Sequence, residues 1–381
     1  MAFLSGPRQS GKTTLARAIA TKYLSWDDAG VRAAIVAGQA AAARHLDLET
    51  ISDQRPIVVF DEIHKNPKWK SFLKGFFDVY ADNGRIGVIA TGSAKMDIYR
   101  RGGDSMMGRY FPYRIHPFSV AEIAAPSLPP PEMVRKSRPI PDAEWEALCA
   151  FGGFPEPFLR RDRRFLGRWT ALRREQMLVE DVRSLTQIHE LEQIRILADL
   201  LSERSGDQIV WQSLATDLSS DPKSAKLWTE ILVYLYFGFL VKPWTRGVAN
   251  SLRKTPKWFL RDWSGIRDAG KRFETMIACH LLKATEGWTD LGFGTFSLHY
   301  LRDKQKREVD FLVSRDNVPW FLVEAKASDT KITPALRHFH AGLRTAHAFQ
   351  VVRDMPFVEA DCFTVADPVA VPARTFLSQL L

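Results

Sequence analysis

Gly6, Pro7, Arg8, Gln9, Ser10, Gly11, Lys12 and Thr13 spell a complete G-x-x-x-x-G-K-[ST] loop, with Thr14 next in line. Glycines let successive backbone N–H groups turn inward around an anion. Lys12 would reach β- and γ-phosphates, and the Thr13 hydroxyl is placed to ligate Mg²⁺. Further on, Asp61 and Glu62 end the apolar run Ile57-Val58-Val59-Phe60. An aspartate there would hold Mg²⁺ through water, and the glutamate would polarise an attacking water. Thr91 and Ser93 follow a second apolar run over 85–90 and put two hydroxyls at its end. A separate group lies near the C-terminus: Asp310, then Glu324 and Lys326 in an E-x-K pattern. Two carboxylates can hold Mg²⁺ and lower the pKa of its bound water, and a lysine can position that nucleophile.

These residues need particular elements. Apolar Ala2-Phe3-Leu4 predicts a strand before the loop, and Thr14 to Tyr23 predicts a helix after it. The helix N-terminus adds partial positive charge where the phosphates would sit. The runs at 57–60 and 85–90 read as strands buried on both faces of a parallel sheet, with ligands at their carboxyl ends. For the second group, Glu308 to Val313 and Trp320 to Lys326 read as a hairpin turning through 315–319. Alternation places Val309, Phe311 and Val313 on one face, and Asp310, Glu324 and Lys326 converge on the other.

The segments GPRQSGKTT, VVFDEIHKNPKW, ATGS and GRYFPYRIHPFSVAEI, with Phe151-Gly-Gly-Phe-Pro155 and Lys254-Thr-Pro-Lys-Trp-Phe259, are quoted in their order along the chain. In order and interval they resemble the prokaryotic AAA-type ATPases that carry a C-terminal domain of unknown function. The resemblance implies ATP and Mg²⁺ as ligands and makes Thr91 a sensor of the γ-phosphate. It also asks for an arginine finger, acting in cis or across a subunit interface of a homo-oligomer. Arg100, Arg101 and Arg109 are the candidates, and Arg109 is preferred. The D…E-x-K group resembles the PD-(D/E)xK nuclease core, which takes a further metal-ligating glutamate from its first helix; Glu274 fits by position. Members of the ATPase family begin before the first strand, so a clipped N-terminus is expected here.

The chain has 381 residues, enough for two or three domains, and 45% hydrophobic with 25% charged residues reads as globular. A formal charge of +9 favours an anionic partner. Cys149, Cys279 and Cys362 form no metal-type pair or disulfide framework, which fits a reducing, cytoplasmic setting. The longest apolar run, Ile231 to Val241, is too short for a membrane span. Residues 126–141 are Pro-rich and read as a linker. A helical stretch follows to 190, with seven arginines between 160 and 174. Those arginines suit an ATPase lid, a nucleic-acid track or a plain solvated face. Residues 191–250 read as a winged helix, with Lys223, Lys226 and Trp228 on the early turns of the helix that would meet DNA.

The expected fold is α/β: a P-loop NTPase parallel sheet (1–125), a linker and helical lid (126–190), a winged-helix domain (191–250) and a restriction-endonuclease-like α/β domain (251–381). The expected function is Mg²⁺-dependent ATP hydrolysis coupled to a DNA-related output. That output is either cleavage or, with an idle nuclease-like core, nucleotide-switched binding of DNA or protein.

Overall fold

Short apolar runs between turn residues build the first part of the chain. A computed structural model describes residues 1–48, 55–82, 84–92, 106, 108–125, 132–182, 190–245 and 255–381. It divides the chain into two compact units, Met1–His116 and Pro117–Leu381.

The first unit runs β1 (Ala2–Ser5), α1 (Lys12–Ile19), β2 (Lys22–Ser25), α2 (Ala29–Ala37), α3 (Gln39–His45), β3 (Ile57–Asp61), α4 (Trp69–Phe76), β4 (Gly87–Thr91) and β5 (Phe111–Arg114). Its sheet has the order β2-β3-β4-β1-β5, and every pair is parallel. Val58, Val59 and Phe60 are fully buried, as a two-sided strand requires. The spacing of Trp69, Phe72, Leu73 and Phe76 puts all four on the buried face of α4. There Phe60 meets Phe72 and Phe76 edge-on, with centroids 5.5 and 4.9 Å away. Strand β4 lies between β1 and β3, and Phe3 and Phe60 both stand opposite Ala90. Asp61, Thr91 and the start of the glycine loop therefore emerge at one level, at the carboxyl edge where open α/β sheets bind ligands.

The helix expected over Thr14 to Tyr23 ends earlier. After Ile19 the backbone turns extended at Ala20, and the Thr21 N–H donates to Ile57 O at 2.9 Å. The chain thus joins the sheet beside β3, and Tyr23 belongs to β2.

The second unit opens with α5 (Val120–Ala124), α6 (Asp142–Phe151), α7 (Pro155–Arg160) and α8 (Arg163–Gln176). Three more helices follow: α9 (Leu191–Glu203), α10 (Trp211–Asp217) and α11 (Pro222–Tyr234). Next come β6 (Gly238–Pro243), β7 (Lys257–Leu260), α12 (Ala269–Asp290), β8 (Phe296–Arg302), β9 (Glu308–Arg315) and β10 (Val318–Lys326). The chain closes with α13 (Pro334–Leu343), β11 (His347–Val352), β12 (Val369–Pro372) and α14 (Ala373–Ser378). One seven-stranded sheet, ordered β12-β11-β10-β9-β8-β6-β7, joins these strands. The β8-β9-β10 meander is antiparallel, β10-β11-β12 is parallel, and the antiparallel β6-β7 pair attaches through β6 alongside β8. The expected boundary near 250 is therefore no break in the sheet. The compact-unit boundary also falls at 116/117 rather than 125, because α5 packs on α14 of the second unit.

Two details of the C-terminal hairpin differ from simple alternation. The turn is Asp316-Asn317, both left-handed (φ 51° and 64°), and Pro319 lies inside β10 beside an irregularity in pairing. The β8–β9 ladder shifts register between His299 and Leu301, so Val309 and Leu312 enter the same apolar cluster. Among the described residues, no helix is long and apolar enough to cross a membrane.

Candidate functional site

The glycine loop connects β1 to α1. Gly6 and Gly11 have φ of 147° and 92°, conformations that favour glycine. A Cβ on Gly6 would lie 2.2 Å from Ile115 O, so no side chain fits there. Pro7 is buried, Arg8 half-buried, and Gln9 and Thr14 are exposed. The Lys12 ammonium is buried and bonds to the loop carbonyls of Gly6 (3.0 Å) and Pro7 (2.6 Å). The buried Ser10 hydroxyl in this loop has no hydrogen-bond partner among the described residues.

Asp61 is the hub opposite the loop. Thr13 donates to its Oδ2 at 3.2 Å, Tyr23 donates to the same oxygen at 2.5 Å, and Thr91 donates to Oδ1. Burial, reinforced by the bond to Asp61, pushes the Tyr23 hydroxyl up to about 12, which keeps it a donor. Arg17 of α1 lies 4.9 Å from the centroid of the Tyr23 ring. Glu62 is left-handed (φ 55°), and its N–H donates to Thr91 Oγ1 at 3.2 Å. Burial raises its carboxyl above the usual range, against the Lys65 ammonium 3.6 Å away. A hydroxyl, a carboxylate and an N–H-lined glycine turn thus stand together, and these donors fit a Mg²⁺–nucleotide. Tyr23 went unnoticed because the helix pattern ran over it; β-branched Thr21 was the local sign of a strand.

The other expected residues of this site fare differently. Ser93, Arg100 and Arg101 lie outside the described residues. Arg109 sits at the wrong end of the sheet for action in cis. Its carbonyl accepts from the Met1 amino group at 2.8 Å, at the amino end of β1, whereas the loop leaves the carboxyl end about 13 Å further on. Its guanidinium is held by Asp78 at 2.7 and 3.2 Å.

In the second unit the predicted group does come together. Glu324 stands one residue beyond the Val323–Phe311 pair, across from Asp310. The Asp310 Oδ2 accepts the Ala325 N–H at 2.9 Å, and Lys326 Nζ lies 2.9 Å from Glu324 Oε1. Glu274 arrives from α12. Burial, with Asp310 nearby, raises both Glu274 and Glu324 to about 7. Sequence reasoning missed the centre of the group. Buried Lys257 of β7 places Nζ 2.6 Å from Glu308, 3.2 Å from Glu274 and 4.0 Å from Asp310. Among the described residues no group of three or more His, Cys, Asp or Glu is arranged to hold a metal ion. An ammonium thus stands among the carboxylates of the expected Mg²⁺ set, Glu274, Asp310 and Glu324.

The basic middle is also corrected in part. Lys223 and Lys226 are exposed on the first turns of α11, but Trp228 is buried core. Of the seven arginines, Arg160, Arg161 and Arg174 pair with Glu156, Glu144 and Asp199. Arg173 stacks 3.9 Å over Phe154, and burial lowers its guanidinium to about 10. Arg163, Arg164 and Arg168 remain exposed.

Residues 1–124 match the AAA domain family, residues 142–273 a domain of unknown function (DUF8612) and residues 269–361 another (DUF4143). No curated protein matches the chain. Among solved structures, the chain is similar to the Aeropyrum pernix ORC1 protein in complex with DNA, at 14% identity and a TM-score of 0.31, over 73% of this chain and 86% of that one. It is also similar to a variant of Thermotoga maritima RuvB, at 14% identity and a TM-score of 0.29, over 62% of this chain and 80% of that one. The N-terminal part of the chain is an AAA domain, and its sheet is parallel and five-stranded.

Proposed function

We propose that this chain is a Mg²⁺-dependent ATPase whose nucleotide cycle governs a nucleic-acid-directed second unit. The observation that carries the first half is the Asp61 hub, where hydroxyls from α1, β2 and β4 converge on one carboxylate beside the glycine loop. Backbone N–H groups of residue 6 and residues 8–14 would bind the phosphates, with Lys12 on the β/γ-phosphates and Thr13 and Asp61 on the metal. Bound Mg²⁺ would neutralise charge on the phosphate oxygens. Glu62, raised by burial, orients water and accepts its proton. Thr91 fixes both Asp61 and the Glu62 backbone, and Ser93 shares its sensing role. Arg109 remains a finger only in trans, which would require a homo-oligomer. Lys12→Ala should abolish ATP turnover, and Glu62→Gln should keep ATP binding while lowering kcat by about 100-fold or more. Unchanged turnover in either variant would sink the assignment.

The nucleic-acid half draws on the second unit. The order α9-α10-α11 followed by the β6-β7 hairpin, with a bridge from Gln208 to Lys257, suits a winged helix. Exposed Lys223 and Lys226 would meet phosphates, helped by Arg163, Arg164 and Arg168. Helix α12, the β8-β9-β10 meander, α13 and parallel β11 follow the order of a nuclease-like core, with Asp310, Glu324 and Lys326 in its expected strands. The position of Lys257 favours the non-cleaving form of this reading, a nucleotide-switched regulator that binds DNA or RNA. The three cysteines are free thiols, which supports a reducing, cytoplasmic setting.

A further inference from the structure

Lys257 is held from every side. Its strand pairs with Val241 of β6, Gln208 bridges to its backbone, and its ammonium lies 5.6 Å from the centroid of the Tyr300 ring. The residue is 5% exposed, so the side chain has no solvent to swing into. Around it each carboxylate has at least one partner, and the buried Glu324 Oε2 has no hydrogen-bond partner among the described residues. Glu308 takes Lys257 on one oxygen and Arg302, at 2.9 Å, on the other. Asp310 has the Ala325 N–H, Glu274 has Lys257, and Glu324 has Lys326. Four carboxylates thus face three cations, Lys257, Lys326 and Arg302. Buried carboxylates need compensating charge, and a divalent ion would supply it through oxygens at about 2.0–2.6 Å. Here a covalently tethered ammonium does so instead.

We infer that the Lys257 ammonium is the resident cation of the Glu274–Glu308–Asp310–Glu324 cluster, so that the cluster takes no divalent metal and the second unit binds nucleic acid without cutting it. The inference rests on the nuclease-like reading of α12 and β8-β9-β10. It gives Lys257 a second task, which is to lock β7 of the hairpin to the acidic edge of β9. Removing the ammonium leaves two negative charges uncompensated, the charge that one divalent ion balances.

The test is an ion count on the full chain without nucleotide, using Mn²⁺ alone and reading free Mn²⁺ by electron paramagnetic resonance. Wild type and Asp310→Asn should bind the same amount, because any ion held at the glycine loop is common to both. Lys257→Met should gain one equivalent that Lys257→Met/Asp310→Asn lacks, and its melting temperature should rise with Mn²⁺ where that of Lys257→Arg does not. An equivalent bound by wild type and lost in Asp310→Asn overturns the inference, and so does a folded Lys257→Met that gains none. If Lys257→Met does not fold, the comparison of wild type with Asp310→Asn still decides. Nucleic acid plays no part in the count. A wild-type chain that binds neither DNA nor RNA in a separate titration overturns the output reading and leaves the ion result standing.

Discussion

Asp61 draws its partners from three elements, and Tyr23 is the one that strand geometry alone supplies. Hydrogen bonds to ionised groups are worth more than neutral ones, roughly 1.5–3 kcal/mol when buried and less at a partly exposed site. Tyr23→Phe removes one donor and leaves the ring under Arg17. We expect kcat for ATP to fall by about five-fold, the equivalent of about 1 kcal/mol, with KM little changed. A loss confined to thermal stability, with kcat intact, would make Tyr23 merely structural. Glu62 gives the pH side of the same site. Its carboxyl lies above the ordinary range, so turnover should fall on acidification at a higher pH than an exposed glutamate would give, and Glu62→Gln should flatten that limb. Lys12, Thr13, Asp61 and Glu62 were legible in the sequence because each belongs to a contiguous motif whose spacing encodes its neighbours. Tyr23 and Lys257 were not. Pairing of β2 with β3 brings the first to its site, and pairing of β7 with β6 brings the second. No local pattern records such pairings. For Arg109 the sequence left action in cis and in trans open, because a motif gives position in the chain, not which end of a strand it occupies.

Helix boundaries were legible where capping chemistry is local. Asp221-Pro222 starts α11 as the dipeptide suggests, with the Asp221 side chain accepting the Lys223 and Ser224 N–H groups. Helix α10, by contrast, begins at Trp211 without a side-chain cap. The capped start of α11 presents Lys223 and Lys226, so Lys223→Glu/Lys226→Glu should weaken DNA binding and reduce its salt dependence by about two phosphate contacts. Unaltered affinity would move the interface elsewhere. A second element carries a pH prediction. His280 of α12 is fully enclosed, with Nδ1 on the Met276 carbonyl at 2.8 Å and Nε2 accepting the Val120 N–H of α5 at 3.1 Å. Lys283, paired with Glu122, and Arg135 stand nearby. Burial lowers the imidazole from 6.5 to about 4. Between those values the unfolded chain binds the proton and the folded chain does not. Stability is therefore whole above about pH 6.5 and falls towards pH 4, by about 3 kcal/mol at most. Glu274 and Glu324, raised to about 7, act in the opposite direction over this range, and His299, lowered to about 4, acts with His280. The comparison of wild type with His280→Gln cancels these contributions. Glutamine keeps a donor and an acceptor, so the wild-type melting temperature should drop faster on acidification; parallel curves would remove His280 from the account.

At the scale of the whole molecule, the proposed function makes the ATP cycle of one unit and nucleic-acid binding by the other two ends of one equilibrium. If ATP changes affinity for DNA by some factor, DNA must change affinity for ATP by the same factor. The AAA domain supplies variants that hold the two ends apart. Lys12→Ala should fix the chain in its nucleotide-free state, and Glu62→Gln should hold it with ATP bound and uncleaved. Under a nucleotide-switched regulator these two variants differ in DNA affinity, by the 5- to 150-fold that couplings of about 1–3 kcal/mol give. Adding DNA to Glu62→Gln should then shift its ATP affinity by that same factor and in the same direction. Fluorescence titrations of a labelled duplex and of a labelled ATP analogue measure both. Equal DNA affinities in the two variants would mean that the second unit does not read the nucleotide at all. Unequal affinities without a matching shift in ATP binding would point to nucleotide acting through assembly rather than within one chain. Repeating both titrations over a range of protein concentrations separates those cases, because only assembly makes the coupling depend on concentration.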